Sequence, residues 1–225
     1  ISVVHNLKKK STGEAPLQKP GKLNSRLLWP LVALAIIVLA CIVWIFGLNF
    51  KSSKTQRIVF QEIKSGKLKT SSDIIIAGYP FIPTLTIVGE PIDVQKARYL
   101  LNEEKNEEAI AMLRAERASP WDGRREYFMA MGFANLKQTD SALVYSEKLR
   151  LMKPKHAKNI LIACQMLEER KENEKAAEYF DTYLADNKNN SQVWVEAAGF
   201  YRRTGDDEKA WQVIEEAKKY LPNDT

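Results

Sequence analysis

SQVWVEAAGFYRRTGDDEKAWQVIEEAKKYLP, running from Ser191 to Pro222, is the stretch that decides the fold. Within it Ala198 and Ala210 stand 12 residues apart, with Tyr201 and Gly205 between them. The same beat returns upstream: Ala142, Ala176 and Ala210 are spaced by 34, as are Pro120 and Pro154, and Pro222 lies two intervals on. A second row, Ala97, Ala130, Cys164 and Ala198, is spaced by 33, 34 and 34, and the larger Leu100, Phe133, Leu167 and Tyr201 each follow it by three. Two helices cross closely only where one offers a small side chain to the other's large one, so these rows predict paired helices. Leu113, Phe180 and Ile214 follow the alanines by four and share their helical face; Ser146, beside Tyr145, interrupts that row.

Short polar connections divide each pair: Asn102 to Asn106, Lys137 to Asp140, Lys171 to Asn173 and Thr204 to Asp207. Gly205 suits a helix C-terminus, where a positive φ is wanted. Between pairs, Ser119-Pro120, Lys153-Pro154 and Leu221-Pro222 end the second helix, because proline donates no hydrogen bond and restricts the residue before it.

The pattern resembles the tetratricopeptide repeat (TPR), over roughly residues 90 to 222, with Trp194, Ala198, Tyr201, Gly205, Ala210, Ala217 and Pro222 at the family's offsets. Lys188 stands where the third unit's closing proline belongs, and Lys96 where the first unit usually has an apolar residue. The resemblance implies an α-α superhelical solenoid that acts by contact, with a protein or peptide partner in a groove lined by the first helix of each pair. Carried onto this sequence, the groove offsets fall on Arg98, Leu101 and Asn102; on Arg124, Tyr127, Met131 and Asn135; on Lys158, Leu161, Gln165 and Glu168; and on Gln192, Val195, Arg202 and Arg203. The Lys/Asn/Arg clamp that some relatives close on a C-terminal carboxylate is not reproduced. Arg98, Arg124, Arg202 and Arg203 remain candidates for bidentate grip on an anion.

Leu27 to Phe50 is a second decisive stretch, 24 residues without a charge. As a helix it extends about 36 Å, against a hydrocarbon core of about 30 Å. Trp29 and Trp44 lie towards its ends and Arg26 and Lys51 bracket it, as expected of a transmembrane helix. It exceeds a signal-peptide core in length and no small-x-small cleavage site follows Trp44.

Charge divides the same way: residues 1–90 carry +8 and residues 91–225 carry −2, within a total of +6. The lysines and arginines flanking the span are placed to meet anionic lipid headgroups. They lack the interleaved aromatics and groove-reading helix of a nucleic-acid binder, so no nucleic-acid partner is expected. Six basic residues on each side give the positive-inside rule nothing to act on, leaving the side of the array open.

The expected organisation is therefore all-α: a basic tail or loop (1–26), a transmembrane helix (27–50), a basic connector with a degenerate capping repeat (51–89), and a TPR array of about four helix pairs (90–225). In the connector, Gln56 to Ser65 and Ser71 to Ala77 read as two short helices, and Leu85, Ile87 and Val88 are expected to pack onto the first true repeat. Neither His5 nor His156 sits in a metal-ligand or acid-base pattern, Cys164 occupies a packing position, and paired glutamates such as Glu103-Glu104 read as solvated helix ends. No catalytic, cofactor or metal residue is assigned.

The span, the Tyr79-Pro80-Phe81-Ile82-Pro83 turn, Gly89-Glu90-Pro91 leading into Lys96-Ala97-Arg98-Tyr99, and Asp140-Ser141-Ala142 together also resemble the C-terminal tail of bacterial O-antigen ligase/polymerase-like membrane proteins. That resemblance implies catalytic groups upstream of Ile1, with the present chain as a regulatory or assembly tail. The first expectation is a scaffold for protein contacts, anchored in the inner membrane of a bacterial envelope, with no catalysis of its own.

Overall fold

The computed structural model describes residues 25–116 and 121–221, except for the side chains of 25–27. The tail ahead of the span, Arg26's side chain, Pro120 and Pro222 therefore lie outside the described part. Ten α-helices and no strand occur among the described residues, as expected of an all-α chain. The chain divides into two units, residues 1–46 and 47–225.

In the first unit, helix α1 (Ser25–Ser65) begins. Its apolar side chains from Leu28 to Phe46 are largely exposed, and its most apolar 18-residue window has a mean hydropathy of 3.1. It is the one described helix long and apolar enough to cross a membrane. Pro30 sits in its second turn.

In the second unit α1 continues unbroken to Ser65, so the separate helix expected from Gln56 does not form. Nothing between Phe50 and Ser65 interrupts a helix; the first residue that does is Gly66, with φ 69. The short α2 (Ser72–Gly78) follows and packs with the end of α1 against α3 (Ile92–Asn102) through Val59, Ile75, Tyr79, Ile92 and Tyr99.

Then come α4 (Asn106–Ala115), α5 (Arg124–Asn135), α6 (Thr139–Met152), α7 (Ala157–Glu169), α8 (Asn173–Asp186), α9 (Ser191–Arg203) and α10 (Asp207–Tyr220). They form four helix pairs, and the first helices α3, α5, α7 and α9 also touch one another in series. Every member of both small-residue rows is buried, as are Leu100, Phe133, Leu167 and Tyr201. Each large buried side chain of this kind contributes about 1.5–3 kcal/mol, which is why four pairs hold where one would not.

The turns inside the pairs share one geometry. Glu104, Lys137, Lys171 and Gly205 all take φ near +60° to +85°. In each, the following amide reaches back to the bulky-row carbonyl: Lys105 to Leu100, Gln138 to Phe133, Glu172 to Leu167, and Asp206 to Tyr201, all at 2.9 Å. This is a Schellman closure, so the residue that fills the helix crossing also satisfies the helix end.

Two departures from the repeat pattern have local causes. Ser146 replaces a core side chain because its hydroxyl donates to Asn159 Oδ1 at 2.8 Å while Asn159 Nδ2 donates to the Ser146 carbonyl at 2.9 Å. Lys188, in the proline slot, pairs with Glu216 at 3.0 Å and lies over the rings of Trp194 and Tyr220.

Leu85, Ile87 and Val88 do not pack as expected: they are 53%, 89% and 64% exposed. Thr84–Pro91 folds into a small hairpin in which the Thr86 amide donates to the Glu90 carbonyl at 2.9 Å, and Thr86 and Glu90 are the residues turned inwards. Alternation sends the apolar neighbours of Thr86 outwards.

Candidate functional site

The first helices of the pairs line two depressions. The larger, of about 640 Å³, is bounded by Arg98, Leu101 and Asn102 on α3 and by Arg124, Tyr127, Met131 and Asn135 on α5, with Lys158 beyond them on α7. The second, of about 510 Å³, holds Leu161, Gln165 and Glu168 of α7 and Gln192 and Arg203 of α9. The carried-over offsets thus come together in two groups. Val195 and Arg202 line neither depression, Val195 facing the far end of the array.

Five lining residues of the larger depression have no counterpart among those offsets: Phe128 of α5, and Glu62, Ile63, Gly66 and Leu68, which, from the end of α1 and the turn after it, wall one side. His156 was also missed, and Pro154 two residues before it is the only local hint. Its Nδ1 accepts from the Asn159 amide at 3.2 Å as the N-cap of α7, and its ring tilts against Tyr127 with centroids 4.9 Å apart. Burial pushes its pKa down, so at neutral pH it is an uncharged imidazole.

Arg98, Arg124 and Arg203 are already engaged. Glu90, buried in the hairpin, accepts from Arg98 at 2.8 Å and from Gln95 Nε2 at 2.9 Å, and pairs with Arg124 at 3.2 Å. The Tyr79 hydroxyl donates to Gln95 Oε1, and Arg124 also holds Asp122 at 2.5 Å. Arg98 lies 5.1 Å from the centre of the Phe128 ring. Arg203 reaches across from α9 to make a two-pronged bridge to Glu168 of α7, at 2.8 and 2.9 Å. Asn135 donates to Asn106 Oδ1 at 2.8 Å. Lys158, exposed, forms no ion pair with a described residue, and Asn102 and Gln165 are exposed as well. The groove is mixed, with Ile63, Leu68, Leu101, Phe128 and Met131 among the polar side chains of the larger depression, and its positive charge is largely matched from within.

Two carboxylates fasten the end of α1 and the start of α2 to α3: Glu62, which no repeat position marks, and Glu103, expected only as a solvated helix end. Glu62 accepts from the Thr70 hydroxyl at 2.6 Å, the Thr70 and Lys69 amides at 3.1 and 3.0 Å, and the Tyr99 hydroxyl at 3.0 Å. Burial opposes its ionisation, but those donors outweigh burial and hold its pKa below the usual range. Glu103 accepts from the Ser72 amide and hydroxyl at 2.6 and 2.5 Å and pairs with Lys105 at 2.9 Å, which brings its pKa down to about 2.

The Cys164 thiol lies in the small-residue row, 3.6 Å from the Ala176 carbonyl, and burial drives its pKa upwards. Among the described residues no group of three or more His, Cys, Asp or Glu is placed to hold a metal ion.

The fold has counterparts among solved structures. A thermophilic TPR protein of Thermus thermophilus, TTC0263, superposes with a TM-score of 0.58 at 16% identity, covering 77% of this chain and 93% of that one. MamA from MSR-1 gives 0.57 at 13% identity, over 79% of this chain and 98% of that one. A further MamA structure gives 0.58 at 12%, over 77% and 93%. The chain is a TPR-like helical solenoid. No protein-family model matches it, and no curated protein does either. Nothing in these likenesses supports the further resemblance to the tail of O-antigen ligase-like enzymes.

Proposed function

We propose that this chain is a membrane-tethered scaffold whose array holds a protein or peptide partner along the inner face of α3, α5, α7 and α9. The observation that carries the reading is the alignment of exposed polar side chains, Asn102, Lys158 and Gln165 among them, along the depressions between successive first helices. Such a surface offers hydrogen bonds and charge with no reactive centre, and so acts by contact.

The exposed apolar surface of α1 supports the tether. A side chain such as Leu39 or Phe46 left in water forfeits about 1.5–3 kcal/mol, and a stretch this long is able to recover that in lipid. Tethering confines the groove to the membrane surface and raises its effective concentration for any partner held there. The basic residues Lys51, Lys54 and Arg57 suit contact with anionic headgroups. A bacterial envelope is the setting that this arrangement fits.

Two measurements test the two halves. Membranes carrying the full chain, washed with alkaline carbonate, should retain it; release into the wash removes the tether. Affinity capture with Lys158→Glu should lose partners that the native chain retains. Equal recovery would take the larger depression out of the binding site.

A further inference from the structure

We propose that the repeats themselves dock on an anionic lipid surface, the connections between helix pairs facing the bilayer and the turns inside the pairs facing away, an arrangement that rests on the tether reading and adds a second lipid contact to it. The uncharged stretch of α1 ends at Phe50, and Val59 of the same unbroken helix is buried against α2 and α3. One helix thus both leaves the apolar stretch and sets the direction of the helices packed on it.

Contacts along the chain give that direction. Glu62 accepts from the Thr70 hydroxyl, and the Thr55 hydroxyl donates to the Gly78 carbonyl at 3.0 Å, so α2 runs back along α1. The chain turns round again at the level of Thr55, about 8 Å along the helix from Phe50. Headgroups fill roughly 5–8 Å outside the hydrocarbon core on each side, so this is headgroup depth. The turn after Gly78 carries Phe81 and Ile82, both exposed, and the Ile87 amide of the hairpin donates to Gln56 Oε1 at 3.1 Å. The opposite edge is tied together from turn to turn: Glu103 accepts from Ser72, Asn135 donates to Asn106, Arg170 pairs with Asp140, and Arg203 with Glu168. Turns inside the pairs therefore share the far edge, and connections between pairs share the edge near Phe50.

Composition divides the same way. Ile87 and Val88 line one depression with Ser53 and Arg57 of α1, and Gly89 lines the next with Trp121 and Lys153, so exposed apolar groups run outwards from the tether along the near edge. Phe81 and Trp121 are 65% and 81% exposed. Lys51, Lys54 and Arg57 stand at the start of this edge and Lys153 and Lys155 farther along it, all exposed. The acidic Glu90 and Asp122 of the same edge are matched by Arg98 and Arg124. Among the described residues the far-edge turns, 66–71, 103–105, 136–138, 170–172 and 204–206, hold no exposed large apolar side chain. Aliphatic and indole groups ringed by basic residues suit the boundary between acyl chains and anionic headgroups, and their depth beside the tethering helix selects lipid as the occupant.

The test uses the full chain with Cys41→Ala and Cys164→Ala, reconstituted in vesicles of phosphatidylcholine and phosphatidylglycerol, with one fluorophore attached at Ile87→Cys, Trp121→Cys, Lys137→Cys or Lys171→Cys. Far-UV circular dichroism melts show that each variant is folded, and retention after a carbonate wash shows that it is tethered. A nitroxide high on the lipid acyl chain should quench the labels at 87 and 121 and leave those at 137 and 171 bright. Phe81→Asp with Val88→Asp should lower the ratio of docked to undocked array about tenfold or more, read as lost quenching at 121. Folded chains that survive the wash but show no quenching at either edge overturn this docking and leave the tether standing; release by the wash removes both. Equal quenching at both edges, or quenching at 121 indifferent to the two aspartates, overturns the docking as well.

Discussion

At the scale of single residues, carboxylates organise the polar contacts. Glu90 draws Arg98 and Arg124 together from two helices, with Gln95 and Tyr79 behind it. Replacing it by Gln takes the counter-charge from Arg98 and one of two from Arg124, which keeps Asp122, and Glu90→Gln should lower stability by roughly 1–3 kcal/mol. Urea unfolding followed by circular dichroism checks this, and an unchanged midpoint would show that the cluster is only superficial. Glu103, held by Ser72 and Lys105, and Glu147, held by Arg150 at 2.6 and 2.8 Å and by Tyr179, both titrate at about 2 rather than near 4.5. Their folded pKa lies below the unfolded one, so their contribution is complete above about pH 4.5 and disappears as pH falls towards 2. Unfolding midpoints measured across that window should fall less steeply for Glu103→Gln with Glu147→Gln than for the native chain. The first-helix positions that line the depressions were legible in sequence because they repeat, Val195 and Arg202 excepted. Glu62, Glu90 and His156 were not, because their partners come from Tyr99, Arg124 and Tyr127, residues that only the fold brings near.

At the scale of elements, the array is an exchange between turn and crossing. Three of the four turn positions put a residue with a Cβ, Glu104, Lys137 or Lys171, where glycine is at ease, and only Gly205 meets the preference. Lys171→Gly should therefore raise stability by up to about 1 kcal/mol, while Gly205→Ala should lower it by about as much. Melting temperatures that shift the same way in both variants would contradict this turn assignment. Ala176 is fully buried where α7 and α8 cross, facing Cys164, and Ala176→Trp should destabilise by about 1–3 kcal/mol through overpacking. A variant that melts as the native chain does would mean that the crossing has slack. Helix positions and turns were readable from spacing alone. The long run of α1 was not, since a sequence shows where helices must stop more clearly than where they simply continue, and the hairpin escaped because two-residue alternation over Leu85 to Val88 is too short to declare itself.

At the scale of the whole chain, charge and hydropathy divide the labour. The first 90 residues carry the positive excess and the apolar helix, whereas the repeats are close to neutral and hold the groove. That division suits the proposed tether and contact surface, and it is legible in the sequence because both signals are compositional. Repeat packing positions are shared by every array of this kind, so they specify the groove and leave the occupant to the side chains that face into it. The central claim is that this face, and not the outer helices, meets the partner. Photo-crosslinking tests it most directly: a photoreactive amino acid is placed at Asn102 or Gln165 in the groove and, for comparison, at Val144 of α6 or Glu178 of α8, in cells producing the full chain. The account predicts a discrete protein adduct from Asn102 and Gln165 and none from Val144 and Glu178; adducts from the outer positions alone, or equally from all four, would contradict it.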